Sequence, residues 1–106
     1  MLAFPCNQFG NQEPGTNSEI RDYVREVYDV DFSLFAKCEV NGEKTNELWR
    51  YLRMNSSLHD SKSGQTGVIP WNFTKFIINT KYNSVEYFEP LDKVSVIGES
   101  IKRQVA

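Results

Sequence analysis

The spacing of apolar residues changes repeatedly along the chain, and each change predicts a different element. Residues 1–4 are apolar and are followed by Pro5, which predicts a buried strand that stops there. Over residues 18–28 the apolar positions recur at helical spacing, with charged residues between them. Thr16 and Glu19 have the spacing of a capping box in front of that segment. The pattern therefore predicts a helix over residues 18–28.

The next elements are predicted by a change to alternation and then back to helical spacing. Over residues 32–40 every second position is apolar, which is typical of a strand, and Asn41-Gly42 favours a turn after it. An apolar face over residues 46–54 predicts a second helix. Residues 55–67 are rich in Ser and Gly and contain few apolar residues, so we expect a long loop there.

The last part of the chain is predicted to form a hairpin and a terminal helix. Strand patterns cover residues 73–78 and 84–88. Residues 79–82 between them contain no glycine, so we expect a looser or longer connection than a two-residue primed turn. Apolar residues at helical spacing over residues 94–105 predict the terminal helix.

The predicted order of elements is strand, helix, strand, helix, strand, strand, helix. Crossover connections favour parallel pairing and the hairpin must be antiparallel, so we expect a mixed β-sheet with flanking helices. This order predicts an α/β fold, arranged as the second half of a thioredoxin-like layered domain. The chain opens directly on an apolar strand that would need neighbours. We therefore expect either that the N-terminal part of the fold is absent or that a neighbour covers the exposed edge.

Composition and charge narrow the class of protein. A chain of 106 residues is expected to form a single domain over residues 1–106. Its net charge of −2 argues against a nucleic-acid partner, since neutralising phosphates requires a basic surface. No apolar run approaches the roughly 18 residues of a membrane span, and no signal peptide is visible. We therefore expect a cytoplasmic protein without stable membrane insertion, unless a targeting segment lies upstream.

The chain contains two cysteines and one histidine, too few for a disulfide framework or a zinc site. Cys6 follows Pro5 at a strand end and is expected to be a small packing residue. A redox role for Cys6, with its thiol as the nucleophile, is the alternative. Cys38 shares the apolar face of its strand, which favours an inert buried thiol. His59 lies in a polar segment and is expected to be a solvated loop histidine.

Two segments together resemble the glutathione peroxidase family. The stretch "LAFPCNQFGNQEPGTNSEI" is similar to the FPCNQFG segment of that family, and "WNFTKF" is similar to its WNF[ST]KF segment. A "VNG" and an "LW" helix lie between them, so the resemblance covers nearly the whole chain. It implies an antioxidant, thiol-dependent peroxidase that reduces hydrogen peroxide and organic or lipid hydroperoxides. It also implies that the first third of the family fold, with the peroxidatic cysteine or selenocysteine, is missing from this chain.

By the same resemblance, Gln8, Trp71 and Asn72 are the site residues. Reduction of a hydroperoxide requires an anionic sulfur or selenium, and neutral N–H donors would stabilise that anion without adding a second titrating group. An indole N–H and two side-chain amides supply such donors. The alternative is structural, with Gln8 an ordinary loop amide, Trp71 an aromatic anchor and Asn72 a turn residue.

Departures from the family pattern refine these expectations. By the resemblance, Arg25 occupies the position of the resolving cysteine of thioredoxin-dependent members, which makes glutathione or another low-molecular-weight thiol the expected reductant and co-substrate, with no cofactor. The segment between Trp49 and Trp71 is short, as in the monomeric phospholipid-hydroperoxide and invertebrate types, so we expect a monomeric full-length protein. The competing hypothesis is a non-catalytic thioredoxin-like remnant or interaction module.

Overall fold

A computed structural model describes residues 1–105, and Ala106 lies outside the described residues. The elements follow one another in this order: β1 (Leu2–Ala3), α1 (Asn17–Tyr28), β2 (Ser33–Leu34), α2 (Glu47–Met54), β3 (His59–Asp60), β4 (Gln65–Thr66), β5 (Lys75–Asn79), β6 (Ser84–Phe88) and α3 (Val94–Val105). The chain divides into two compact units, one of residues Met1–Asn46 and one from Glu47 onward. The prediction of a single domain over residues 1–106 stays a prediction.

The first helix begins and ends as its sequence predicts. The Thr16 hydroxyl accepts a hydrogen bond from the Glu19 N–H at 3.2 Å, and the Glu19 carboxylate accepts one from the Thr16 N–H at 3.3 Å. This capping box satisfies two backbone donors at the helix start. The helix ends where Asp29 adopts a left-handed conformation with φ 48° and donates its N–H to the Arg25 carbonyl.

The predicted strand over residues 32–40 is shorter in the structure. Only Ser33–Leu34 forms β2, which pairs in parallel with Leu2–Ala3 of β1. Beyond this pair, Cys38 donates its N–H to the Pro5 carbonyl at 3.0 Å. Proline has no N–H with which to continue the ladder, so the regular pairing ends.

The prediction that the first strand is buried is wrong. Met1 is 84% exposed and Leu2 is 56% exposed. Among the described strands, β1 pairs with β2 alone. A two-stranded ribbon cannot cover both faces and both edges of a strand, so these apolar side chains stay accessible.

The second unit contains the predicted hairpin and terminal helix. Strands β5 and β6 pair antiparallel from Lys75↔Phe88 to Asn79↔Ser84. Residues 80–83 connect them, so the connection is longer than a two-residue turn, as the lack of glycine predicts. Asn83 supplies the left-handed conformation there, with φ 50°. Trp49 on α2 packs edge-to-face against Phe76 on β5, with ring centroids 5.6 Å apart.

The predicted loop over residues 55–67 contains a second small hairpin. Strands β3 and β4 pair antiparallel, and a hydrogen bond of 2.8 Å joins a ring nitrogen of His59 to the Thr66 hydroxyl. His59 is therefore a half-buried strand residue and not a solvated loop histidine. Polar side chains form this turn: Asp60 accepts hydrogen bonds from the Lys62 N–H and the Ser63 hydroxyl. Because these contacts are local and polar, no apolar alternation marks the strands.

Each unit has its own set of buried side chains. In the first unit the buried residues are Phe9, Ile20, Val40 and Thr45. In the second they are Leu52, Ile69, Phe88 and Ser100. Both pairing types expected of a mixed sheet occur, but the described residues hold them in separate two-stranded sheets. Within residues 1–105 no helix combines the length and the apolar character needed to cross a membrane.

Candidate functional site

Gln8 lies in the turn that follows β1. Its backbone N–H is 3.5 Å from the Cys6 sulfur, and the Cys6 thiol is 3.5 Å from the Gln8 Oε1. The left-handed residues Gly10 and Asn11, with φ 67° and 52°, reverse the chain just afterwards. The result is a tight loop in which the Cys6 sulfur and the Gln8 amide are neighbours.

The side-chain amide of Gln8 is bonded on both its donor and acceptor sides. Its Nε2 donates to the Asn41 carbonyl at 2.8 Å and to the Glu39 carboxylate at 3.2 Å. Its Oε1 accepts from the Val40 N–H at 2.8 Å and from the Asn41 N–H at 3.1 Å. The amide therefore fixes residues 39–41 against the loop of residues 6–8. Sequence reasoning missed Glu39 and Asn41 as partners of Gln8, and no spacing pattern in the chain signals them.

The hydrogen bonds of the Gln8 amide to residues 39–41 are called the Gln8 clamp below. A polar cleft of about 430 Å³ opens beside this clamp. It is lined by Asn7, Gln8, Asn11, Lys37, Cys38 and Glu39. The Lys37 ammonium donates to the carbonyls of Glu13 and Gly15 at 3.2 and 2.7 Å. The Lys37 charge is therefore bound by the backbone carbonyls of the loop. The other polar groups that line the cleft are the side-chain amides, the Glu39 carboxylate and the Cys38 thiol.

The two thiols of the chain are both free and half-buried. Burial, and secondarily the neighbouring Cys6, raise the pKa of the Cys38 thiol above the ordinary value of 9.0. Cys38 is therefore a neutral thiol at neutral pH. The expectation of a buried Cys38 is corrected to half-burial, because the thiol borders the polar cleft.

Trp71 and Asn72 lie together at the turn that leads into β5 in the second unit. The Trp71 carbonyl accepts a hydrogen bond from the Thr74 hydroxyl at 2.8 Å, which closes the turn. Phe73 adopts the left-handed conformation, with φ 64°, which is rare for an aromatic residue. Trp71 is 46% exposed and Asn72 is half-buried. The structure thus presents an accessible indole on a constrained turn, while Gln8 lies in the first unit.

Comparison with known proteins assigns the family. The family model described as Glutathione peroxidase matches residues 1–53 of the chain. The chain belongs to the glutathione peroxidase family. The resemblance drawn from the two sequence segments is therefore confirmed.

Relatives of this family match nearly the whole chain. The glutathione peroxidase of Lactococcus lactis is 38% identical over 103 residues, which cover 97% of this chain and 62% of the relative. The phospholipid hydroperoxide glutathione peroxidase of Bos taurus is 40% identical, with 95% of this chain and 49% of the relative covered. The probable glutathione peroxidase 3, mitochondrial, of Arabidopsis thaliana is 39% identical, with coverages of 100% and 49%. The chain thus spans about two to three fifths of the length of the curated relatives it matches.

A solved structure shows the same fold. The crystal structure of Trgpx in its apo form superposes with a TM-score of 0.68 at 26% sequence identity, covering 98% of this chain and 56% of that one. The predicted α/β, thioredoxin-like fold class is confirmed by this match. The chain is therefore classed with the peroxidases by its family, and the activity of this chain itself stays a prediction.

Proposed function

We propose that this chain supplies the hydrogen-bond donors of a thiol-dependent peroxidase that reduces hydrogen peroxide and organic or lipid hydroperoxides with glutathione. The proposal is supported by relatives whose names include phospholipid hydroperoxide glutathione peroxidase. The observation that carries it is the accessible Trp71 indole on a turn fixed by Thr74 and Phe73. A donor carried on a fixed backbone turn is held near one position, so it can stabilise charge that develops there during reaction.

The chemistry requires donors that do not titrate. A thiolate or selenolate attacks one peroxide oxygen, the oxygen–oxygen bond breaks, and an alkoxide develops on the other oxygen. Trp71 can only donate through its indole N–H, and the Asn72 amide has two N–H groups. In this proposal the nucleophile is the peroxidatic cysteine or selenocysteine of the family, which lies outside the two motifs. Trp71 and Asn72 stabilise the thiolate or selenolate and the developing alkoxide.

Gln8 has a double role in this proposal. Its Nε2 holds Asn41 at 2.8 Å and Glu39 at the longer distance of 3.2 Å. We propose that the bond to Glu39 is exchanged for a bond to the reacting anion, while the bond to Asn41 keeps the amide in place. Glu39 is exposed, so its carboxylate can return to water when the bond is released.

The contacts of Gln8 also favour a second candidate function. An amide whose donors and acceptor are all used within the chain is typical of a structural residue. Under this hypothesis the chain is a non-catalytic thioredoxin-like interaction module. It would then fold and bind a partner without turning over peroxide.

A coupled assay distinguishes the two functions. The protein that carries this chain is incubated with phosphatidylcholine hydroperoxide or hydrogen peroxide, glutathione, glutathione reductase and NADPH, and thioredoxin replaces glutathione in a parallel series. Trp71→Phe keeps the ring and removes the N–H, and we expect kcat/KM to fall about 10²-fold. Tyr82→Phe, on the exposed β5–β6 connection, is the matched control and should keep full activity.

Three results would each contradict one part of the proposal. NADPH consumption no higher than that of the heat-inactivated protein would support the non-catalytic module. Wild-type activity in Trp71→Phe would reject the donor role of Trp71 while leaving the peroxidase itself in place. Faster turnover with thioredoxin than with glutathione would reject glutathione as the preferred reductant.

We further propose that the protein acts as a monomer in the cytoplasm. The short segment between Trp49 and Trp71 supports the monomer, because it resembles the monomeric members of the family and lacks the longer segment of the tetrameric members. Relatives with mitochondrial and chloroplastic names show that location varies within the family. Sedimentation of the purified protein tests the monomer, and microscopy of a fluorescent fusion tests the location.

A further inference from the structure

Cys6 and Cys38 lie at neighbouring positions on two adjacent chain segments. Phe35 donates its N–H to the Ala3 carbonyl at 2.8 Å, and Cys38 donates its N–H to the Pro5 carbonyl at 3.0 Å. Beyond the regular pairing of β1 and β2, the two segments thus stay hydrogen-bonded as far as Pro5, which directly precedes Cys6. Adjacent paired segments lie about 4.8 Å apart, which falls within the range of roughly 4.4–6.8 Å between the Cα atoms of disulfide-bonded cysteines.

We propose that Cys6 and Cys38 form a reversible intramolecular disulfide when the chain meets a hydroperoxide. The pair is distinct from the residues assigned above to the peroxidase site. The reaction uses only the two thiols of this chain and one hydroperoxide, so it does not rest on the proposed function. Both cysteines are free in the structure, which therefore represents the reduced form.

The surroundings of the two sulfurs set the order of events. The Gln8 backbone N–H faces the Cys6 sulfur at 3.5 Å and can stabilise negative charge there, and the Gln8 Oε1 accepts a hydrogen bond from the neutral Cys6 thiol. Burial raises the pKa of the Cys38 thiol and keeps it neutral, so it reacts slowly with peroxide by itself. Cys6 is therefore the first sulfur to be oxidised and Cys38 is the second to react.

The two steps balance in atoms and electrons. In the first step the Cys6 thiolate attacks one peroxide oxygen, the oxygen–oxygen bond breaks, and the departing alkoxide takes up a proton to leave as an alcohol. Cys6 becomes a sulfenic acid. In the second step the Cys38 sulfur attacks the Cys6 sulfur, the sulfur–oxygen bond breaks, and the hydroxyl leaves with the Cys38 proton as water. Two thiols are oxidised to one disulfide, and the hydroperoxide is reduced to an alcohol and water.

The cleft gives the reaction room. Cys38 lines it together with Asn7 and Gln8, the two residues that follow Cys6 in the chain. A volume of about 430 Å³ accommodates a small organic hydroperoxide beside the two segments. The same opening lets a reducing thiol reach the disulfide, so we expect the oxidation to be reversible.

The test uses the 106-residue chain and cumene hydroperoxide at neutral pH. After treatment, remaining thiols are alkylated and the chain is digested and analysed by mass spectrometry. We expect both thiols to be lost together, a cross-linked peptide that joins Cys6 to Cys38, and recovery of both thiols with dithiothreitol. In Cys38→Ser, dimedone should capture a sulfenic acid on Cys6. In Cys6→Ser, Cys38 should remain a free thiol.

Clear outcomes would overturn the proposal. These are two intact thiols after excess hydroperoxide, disulfides only between separate chains, or stable Cys6 sulfenic or sulfinic acid in the wild-type chain without a bridge. Circular dichroism checks that each serine variant is folded. If a variant fails to fold, the cross-linked peptide of the wild-type chain decides the question by its presence or absence.

Discussion

Gln8 and Asn41 exchange two hydrogen bonds: the Gln8 Nε2 donates to the Asn41 carbonyl at 2.8 Å, and the Asn41 N–H donates to the Gln8 Oε1 at 3.1 Å. The side-chain amide thus pairs with a backbone segment as another backbone segment would in a sheet. Because the Val40 N–H uses the same Oε1, one side chain satisfies three backbone groups. Gln8 therefore stabilises the fold, whatever its part in catalysis.

Replacement of Gln8 by alanine should destabilise the chain. The variant removes the partners of the Val40 N–H and of both backbone groups of Asn41, and Val40 is only 2% exposed. Loss of partners for such groups costs about 1–3 kcal/mol of unfolding free energy. Urea unfolding followed by circular dichroism measures the change. Gln8→Asn has the same amide on a side chain that is one carbon shorter, and its unfolding free energy should fall by as much. Wild-type stability in either variant would show that these hydrogen bonds of Gln8 do not stabilise the fold.

The capping box of α1 should contribute measurably to stability. Thr16→Ala removes the hydroxyl that accepts the Glu19 N–H at 3.2 Å, and the expected loss is about 1 kcal/mol. Thr16→Ser keeps the hydroxyl and is the matched control. Thermal unfolding of the three proteins checks the prediction. Equal midpoints for alanine and wild type would show that the cap is replaced by water at no cost.

Backbone strain at Phe73 should be relieved by a residue that tolerates the left-handed conformation. Phe73 has φ 64° and is 82% exposed, so its removal forfeits little burial. Phe73→Asn should raise the unfolding free energy by roughly 1 kcal/mol, because asparagine adopts this conformation at lower cost. Phe73→Val should lower it, since β-branching makes the same φ more costly. The opposite order of the two variants in urea unfolding would reject strain at this turn.

A partly buried polar cluster connects α3 to β6. The Ser100 hydroxyl donates to the Glu86 carboxylate at 2.5 Å, and the Gln104 amide donates to both residues. Ser100 is 2% exposed, so Ser100→Ala should cost about 1.5–3 kcal/mol, the range for a hydrogen bond to a charged group. A double-mutant cycle with Glu86→Gln measures the coupling. Additive effects of the two substitutions would mean that the contact does not stabilise the fold.

The reactivity of Cys38 should depend on pH in a defined direction. Burial and, secondarily, Cys6 raise the pKa of the Cys38 thiol above 9.0. Alkylation of Cys38 by iodoacetamide should therefore reach its half-maximal rate above that pH. In Cys6→Ser the midpoint should move down but stay above 9.0, because burial is the larger cause. A midpoint at or below 9.0 in the wild-type chain would contradict the assignment.

The same shift of the Cys38 pKa has a consequence for stability. The folded chain keeps the neutral thiol to a higher pH than the unfolded chain, so unfolding releases a proton in this range. The contribution of Cys38 is fully present below the pKa of the unfolded chain and is lost as the pH rises through the pKa of the folded chain. The unfolding free energy of the wild type should therefore fall relative to that of Cys38→Ser as the pH rises.

The three helices of the described residues and the β5–β6 hairpin could be predicted because their signals are local. The capping box of Thr16 and Glu19 and the helical spacing behind it determine α1 within one segment of chain. The β3–β4 hairpin was not predictable, because its strands are two residues long and are held by polar contacts such as His59 with Thr66. The end of β2 depends on Pro5 in a distant segment, so no local pattern marks it.

The site could be predicted in part. Sequence similarity selects Gln8, Trp71 and Asn72, and the family match confirms the resemblance that selected them. Their roles stay predictions. The partners of Gln8 were not predictable, since Glu39 and Asn41 are separated from it by the whole of α1. The left-handed Phe73 was also not predictable, because an aromatic residue gives no signal of that conformation.

The sequence by itself determined the α/β class, the helices and the family, because apolar spacing, caps and the two family motifs are written in contiguous residues. Only the tertiary structure decided which groups Gln8 binds, that Cys38 borders a cleft beside the Cys6 segment, and that Leu2 stays exposed. These features depend on which distant segments pair and on where the pairing ends. Such contacts join segments that are far apart in the sequence, so no spacing pattern of apolar and polar residues predicts them.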